Sequence, residues 1–215
     1  MAFDHPRPVL GANDEIRAAA ECESSPLHGG EASRGKRYSK YINRQQARNL
    51  LNALAFADEI GLRLNVAVDI SWLMFAGTVD DRTRFSRCQQ RLSKWAKREG
   101  FALTLIWTRE VGKHGSSHTH VLIHVPPWLM ETKKFPLAIE RALEAEGGPN
   151  HEKAIMIQPA PTPQGKLLYN LKGLDPREAK QFGVRASYQG ELHGKRVGCT
   201  ENIGARARKR HLLGK

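Results

Sequence analysis

The chain has 215 residues, 40% of them hydrophobic, and a formal net charge of +12. That length suits one domain, or one domain with extensions. No apolar run approaches the roughly 20 residues that span a bilayer, and Met1 to Ala20 lacks the apolar stretch of a secretory leader. The three cysteines, Cys22, Cys88 and Cys199, are dispersed without a CxxC pair. They exclude a disulfide framework and a cysteine-type zinc site, and they fit a reducing, cytoplasmic compartment.

Charge is unevenly placed. Residues 1–31 hold Arg7 and Arg17 against six acids, a net of −4, which leaves +16 on the rest. A body that basic meets a polyanion, with nucleic acid the default; the alternative is a solvated basic surface. Residues 1–33 are rich in Gly, Pro, Ser, Ala and acid without steady periodicity, which predicts a disordered or weakly ordered arm. Residues 34–190 are expected to form the folded domain, and 191–215 a basic C-terminal tail.

The domain opens on a basic run. Arg34, Lys36, Arg37, Lys40, Arg44 and Arg48 stand without an acid and are interleaved with Tyr38 and Tyr41. Cations beside aromatics suit a nucleic-acid strand, through phosphate contact and base stacking; a solvated helix entry reads equally well. Residues 44–60 carry a partial apolar stripe, Leu50, Leu51, Leu54, Ala55 and Ile60, which predicts a helix stopped by Gly61. Leu62 to Ser71 alternates. Leu64, Val66, Val68 and Ile70 face one way and Asn65, Ala67, Asp69 and Ser71 the other, a half-buried strand.

Residues 81–99 predict a second amphipathic helix, with Phe85, Cys88, Leu92 and Trp95 inward and Gly100 at its end. Phe101 to Glu110 then reads as a strand and His118 to Val125 as its return, stopped by Pro126-Pro127, a hairpin around the loop 111–117. A helix is expected over about 135–145, a short strand over 153–158 and a short helix over 164–172. Beyond Gly190 the chain is basic again, with Lys195, Arg196, Arg206, Arg208, Lys209, Arg210 and Lys215. The fold class is therefore α+β: a small, mainly antiparallel sheet covered by helices on one face.

The sharpest signal is His118-Thr119-His120. On a strand, residues two apart share a face about 7 Å apart, so both imidazoles can reach one ion. His124 lies about 13 Å beyond His120 and stands apart from the pair. A hairpin loop centred on residue 114 pairs His118 with Glu110 and His120 with Thr108. Residues directly across a pair share a face, with Cβ atoms about 5 Å apart. Glu110, His118 and His120 therefore converge as candidate metal ligands. Two imidazoles and a carboxylate leave positions open for water and phosphate oxygens, which suits Mg²⁺ or Mn²⁺, although nitrogen ligands also suit zinc or nickel. The plain alternative is three solvated polar residues on an exposed sheet face. Zinc hydrolases with HxHxDH spacing match less well, because Leu122 stands where the Asp belongs.

The second signal is Tyr169 with Lys172, which share a face of the predicted helix, while Leu168 and Leu171 form a separate stripe that can dock it. A tyrosine oxygen is a nucleophile in phosphoryl transfer, and a nearby cation steadies the phosphate. Alone, Y-x-x-K more often marks a half-buried tyrosine beside a solvated lysine.

Taken in order, these motifs resemble the HUH endonucleases: rolling-circle replication initiators, relaxases and related transposases. Their histidine–hydrophobic–histidine motif is similar to His118-Thr119-His120, with Thr119 as a departure. Their acidic third ligand matches Glu110, their Y-x-x-K helix matches Tyr169 and Lys172, and their leading strand looks like Leu64 to Trp72. The likeness covers roughly residues 62–175, and one tyrosine in the catalytic helix points to the single-tyrosine, Rep-like class. The resemblance implies a ferredoxin- or RRM-like sheet and a divalent metal, Mg or Mn, on Glu110, His118 and His120. It implies that Tyr169 attacks single-stranded DNA to leave a 5′-phosphotyrosine and a free 3′-OH, with Lys172 supporting the phosphate. Asn65, Asp69 and Ser71 would lie beside the site, Asp69 as a support to the ligands.

The expected role is initiation of rolling-circle replication of a plasmid or phage-like element, on single-stranded DNA or an origin hairpin. Arg34, Lys36, Arg37, Lys40, Lys195, Arg196, Arg206, Arg208 and Arg210 would contact the DNA. The sequence has no GxxxxGK[ST] loop, so a separate helicase and polymerase are expected partners. The alternatives are a non-catalytic DNA-binding module on the same fold, a relaxase or transposase, and a metal-dependent RNA-processing protein. The last needs exposed aromatics on the sheet, where the predicted outward residues are Asn, Asp, Thr and His.

Overall fold

The computed structural model describes residues 38–76, 79–112, 115, 117–149 and 151–214. The expected N-terminal arm, and Arg34, Lys36 and Arg37, lie outside the described residues. A two-residue strand β1 (Tyr38–Ser39) leads to α1 (Arg44–Glu59). Asn43 starts that helix with a reciprocal cap: its side chain accepts from Gln46 N–H, and the Gln46 side chain accepts from Asn43 N–H. Next come β2 (Val66–Ser71), α2 (Asp81–Arg98) and the hairpin β3 (Leu105–Val111) and β4 (Ser117–Ile123). The chain continues through α3 (Lys134–Glu144), β5 (Ile155–Pro159) and α4 (Pro163–Asn170), which tightens into a 3₁₀ turn over Leu171–Gly173. It ends with β6 (Leu192–His193), β7 (Val197–Cys199) and α5 (Ala205–Leu213).

The class is α+β, as expected. Five strands pair antiparallel in the order β5-β2-β4-β3-β7, and β1 pairs with β6 as a separate ribbon. The hairpin has the anticipated register, with Glu110 across from His118 and Thr108 across from His120. Two expected strands start late, at Val66 and Leu105 rather than at 62 and 101. Their lead-in residues are committed elsewhere: the Asn65 side chain both donates to and accepts from the Val125 backbone at 2.8 Å. Asn65 is thus a clamp on the chain leaving β4, and not a neighbour of the catalytic candidates.

Helices cover more than the one face anticipated. On one face, Val66, Val68, Ile70, Leu105, Val121 and Ile123 pack under α2 and α3 with Phe85, Leu92, Phe135 and Ile139. On the other, Ala67, Ile106 and Leu122 are buried against Leu50, Leu54 and Ala57 of α1 and Leu167 of α4. Alternation gives the two faces correctly but does not distinguish an outward residue from one roofed by a distant helix. The apolar stretch of this second face ends at Thr108, Asp69 and His120, and the polar end is left for chemistry.

Residues 191–215 are not a tail. β7 is the edge strand of the sheet, paired with β3, and Gly198 lies directly across from Trp107. A Cβ there would sit 2.7 Å from indole atoms, so glycine is what lets this strand close on the ring. Arg196, expected to contact DNA, is 1% exposed. Its guanidinium donates to the carbonyls of Ser39 (2.7 Å), Arg109 (3.4 Å), Gln189 (3.1 Å) and Gly190 (2.5 Å), so it serves as an interior staple. Arg208 also turns inward, donating to Ile203 O at 2.7 Å and to Asn49. Lys40, Lys195, Arg206 and Arg210 are exposed.

Candidate active site

The site is built at the polar end of the second face, where three strands present side chains in register. Asp69 of β2 lies across from His120 of β4, and Ser71 across from His118. Glu110 of β3 lies across from His118. Thr119, between the histidines, points to the opposite face, where it is fully buried and its hydroxyl accepts the Trp72 indole N–H at 2.7 Å. Threonine in the hydrophobic position of the motif is thereby satisfied.

His120 is bracketed by two carboxylates. Its Nδ1–H donates to Asp69 Oδ1 at 2.6 Å, and its Nε2 lies 3.1 Å from Glu110 Oε1. The second contact is off the line of a hydrogen bond, so Nε2 is buried without a hydrogen-bond partner among the described residues. Each carboxylate gives its other oxygen to a lysine of the α4 segment. Lys166 Nζ is 2.9 Å from Asp69 Oδ2, and Lys172 Nζ is 3.0 Å from Glu110 Oε2. Both ammoniums lie over the Tyr169 ring, at 5.7 Å and 4.7 Å from its centroid. Tyr169 itself is 58% exposed. The helix spacing explains the arrangement: residues 166, 169 and 172 are each three apart, so one face carries lysine, tyrosine, lysine. Pro163 at the first turn starts the helix at little cost in hydrogen bonds.

The electrostatics follow. Burial alone would raise the Asp69 and Glu110 carboxyls. The bonds and charge of His120, with Lys166 at Asp69 and Lys172 at Glu110, outweigh burial and hold both below the ordinary carboxylate value. Burial also opposes charge on His120, but its bonds to Asp69 and Glu110 prevail and raise its pKa. His118 is lowered, first by burial and then by the positive charge of His120 and Lys172, against the pull of Glu110 and Asp69.

The structure brings Glu110, His118, His120, Tyr169 and Lys172 to one end of one face, joined by the ion pairs just given. Among the described residues, no three His, Cys, Asp or Glu side chains converge closely enough to hold an ion as they stand. The lysines occupy the carboxylate oxygens instead. His124 lies past the end of β4, its Nδ1–H on Arg63 O at 2.8 Å, apart from the pair as expected. Sequence reading missed Lys166, although its signal was present three residues before Tyr169. It also gave Asp69 only a supporting place, where the side chain bonds His120 directly.

An antiparallel sheet with a histidine–carboxylate end facing an exposed tyrosine defines the class of the fold and site. Within it, residues 75–160 match the family model of the replication-associated protein ORF2, or gene 2 protein. Over that span the chain is a Rep-like replication-initiator sequence. The span includes Glu110, His118 and His120 and stops short of Tyr169. Among solved structures, the chain is similar to the catalytic domain of the adeno-associated virus type 5 Rep protein, at 10% identity and a TM-score of 0.33, over 70% of this chain and 96% of that one. No curated protein matches the chain in sequence. No described helix is long and apolar enough to cross a membrane.

Proposed function

We propose that the protein nicks and rejoins single-stranded DNA at a specific site, to initiate rolling-circle replication of a plasmid or phage-like element. One observation carries the reading: the exposed Tyr169 ring lies under two lysines that are themselves ion-paired to Asp69 and Glu110, the carboxylates bracketing His120. The Tyr169 oxygen attacks the scissile phosphorus. Its bond to phosphorus forms as the P–O3′ bond breaks, the phenol proton leaves to solvent, and the 3′ oxygen departs as the free hydroxyl. The phosphotyrosine link conserves the bond energy, so a 3′-OH can reverse the step and rejoin the strand. Lys166 and Lys172 attract the negative charge that builds on the phenol and phosphate oxygens.

The residues fit a divalent ion. Two imidazoles and a carboxylate meet in register, and the buried Nε2 of His120 lacks a hydrogen-bond partner. Asp69 on Nδ1 keeps the Nε2 lone pair free for a ligand role. Glu110, His118 and His120 would hold Mg²⁺ or Mn²⁺, which when bound polarises the scissile phosphate. Lys172 would then leave Glu110 for the DNA. Lys40, Lys195, Arg206 and Arg210 are exposed and would meet the backbone, and unwinding would fall to a separate helicase, with a polymerase extending the 3′ end.

The test is a denaturing gel of parent and Tyr169→Phe with labelled single-stranded DNA from the flanking locus, with Mn²⁺ or with chelator. The parent forms a covalent adduct with Mn²⁺, and Tyr169→Phe binds the DNA without forming one. Cleavage by the parent without an adduct would make water the nucleophile. The lysines on both carboxylates favour, as a second reading, a DNA-binding module without catalysis; binding by the parent with neither cleavage nor adduct would select it.

A further inference from the structure

Three of the four tyrosines play no part in the chemistry just described, and the fold collects them. Tyr38 on β1 packs edge-on against His193 of β6, ring centroids 5.8 Å apart. Tyr41, two residues before the Asn43 cap, meets Tyr188 edge-on at 6.1 Å. Lys40 Nζ lies between the last two, 5.7 Å from the Tyr41 centroid and 6.0 Å from that of Tyr188. Tyr38 is 64% exposed and Tyr188 58%. Rings left this open contribute little to a core; their faces are surface.

Their position is tied to the nucleophile helix from both sides. Ile42, next to Tyr41, donates its N–H to Gly173 O at 2.9 Å, and Ser187, next to Tyr188, donates to Lys172 O at 2.7 Å. Both segments therefore abut the turn that ends α4, three and four residues beyond Tyr169. Beneath them, Arg196 bonds Ser39 O on one segment and Gln189 O and Gly190 O on the other. A buried cation with four carbonyl acceptors fixes the spacing of two surface segments 150 residues apart in sequence. The segments have no apolar interface of comparable reach between them.

We infer that Tyr38, Tyr41 and Tyr188, with Lys40, form a stacking platform for unpaired bases of the DNA strand that runs past Tyr169. The inference rests on the proposed function for the identity of the strand. Every base has a π face, so rings of this kind hold single strands of any sequence, and the ammonium between them meets the phosphates. Arg196 is a positioning residue for the platform and touches no DNA. Charge alone would make a surface that also takes duplex; stacking rings select the unpaired strand.

The experiment titrates the full chain with a fluorescent dT 20-mer and with a duplex of equal length. Tyr188→Leu and Tyr41→Leu keep apolar bulk and remove the ring. Each is expected to weaken binding of the dT strand about tenfold, to leave duplex binding unchanged, and to leave the slope of log affinity against log salt unchanged, because no phosphate contact is lost. Tyr188→Phe keeps the ring and retains parent affinity, which separates stacking from a fold defect. Unchanged dT affinity in the Leu variants would overturn the platform, as would equal losses on duplex. The adduct assay answers separately. A parent that forms the adduct while the Leu variants bind dT normally leaves nicking standing without the platform, and ring-dependent dT binding without any adduct leaves the platform standing without nicking.

Discussion

The two faces of the sheet are made from the same strands by the same alternation, and they do opposite things. One is closed along its length by α2 and α3, with Trp72 against Phe75 and Phe85, Phe85 against Trp107, and Trp95 against Phe101 and Phe135. The other is roofed by α1 over Ala67, Ile106 and Leu122, then opens onto Asp69, Glu110, His118 and His120. The closed face supplies burial, worth about 25 cal/mol per Å² of apolar area. The open end concentrates charge that is costly to bury, each acid held by a histidine and a lysine. Register links them, because a slip of one residue would put His118 and His120 into the core and Thr119 and Val121 into the site.

The largest expected effect separates stability from chemistry. Phe85→Ala empties a ring site in the closed face and should lower unfolding free energy by about 3–5 kcal/mol, read by denaturant titration. Adduct formation at low temperature should persist. His120→Ala should do the reverse, with metal-dependent cleavage falling to background while the denaturation midpoint stays near the parent's. A folded His120→Ala that still nicks would dissolve the distinction between the faces.

A smaller effect probes the support of the site. Asp69→Asn removes the carboxylate from His120 Nδ1 and should weaken metal affinity or adduct yield about 10–100-fold. It should also flatten the pH dependence of stability in the metal-free protein. Asp69 and Glu110 have depressed pKa values in the folded state, so they stabilise it above their ordinary values of 3.8 and 4.5, and that stability is lost as pH falls through the folded values. His120 is raised, so its contribution is complete below 6.5 and is lost as pH rises through its folded value. In the closed face Cys88, pushed up to about 12 by burial, stays neutral across this range. Thermal melts in chelator from pH 3 to 9 read both limbs; an unchanged profile in Asp69→Asn would place the titrating groups elsewhere.

Much of this organisation was legible in the sequence. The Glu110–His118 and Thr108–His120 pairs follow from the loop centre and the period of two, and the α2 and α4 regions from spacing and from Gly100 and Gly173. Hidden from the sequence was whatever depends on distant partners. Ile106 and Ala67 read as outward because nothing local announces that α1 lies over them. Val197-Gly198-Cys199 is too short to show a period, so the edge strand read as a tail. Arg196 carries the same letter as Arg210, and only tertiary contact tells a staple from a surface charge. Lys166 was legible in principle, three residues ahead of Tyr169, but its meaning depends on Asp69, 97 residues away.

The smallest effect concerns that last contrast within the basic C-terminal segment. Removing residues 195–215 would strip β7 from β3, so truncation cannot isolate the role of charge. Point substitutions can. Arg196→Lys keeps the charge but loses the fork: one ammonium cannot span Ser39 O, Arg109 O, Gln189 O and Gly190 O. Stranding a buried carbonyl costs about 1–3 kcal/mol, so the variant should melt earlier. Its slope of log affinity against log salt should not change, since the guanidinium never faces the DNA. Arg210→Ala should change stability by less than about 0.5 kcal/mol and lower that slope by about 0.7, the share of one phosphate contact on a single strand. If Arg196→Lys reduced the slope while stability held, the interior placement of this side chain would be wrong. If Arg210→Ala left the slope untouched, the strand would run elsewhere than over α5.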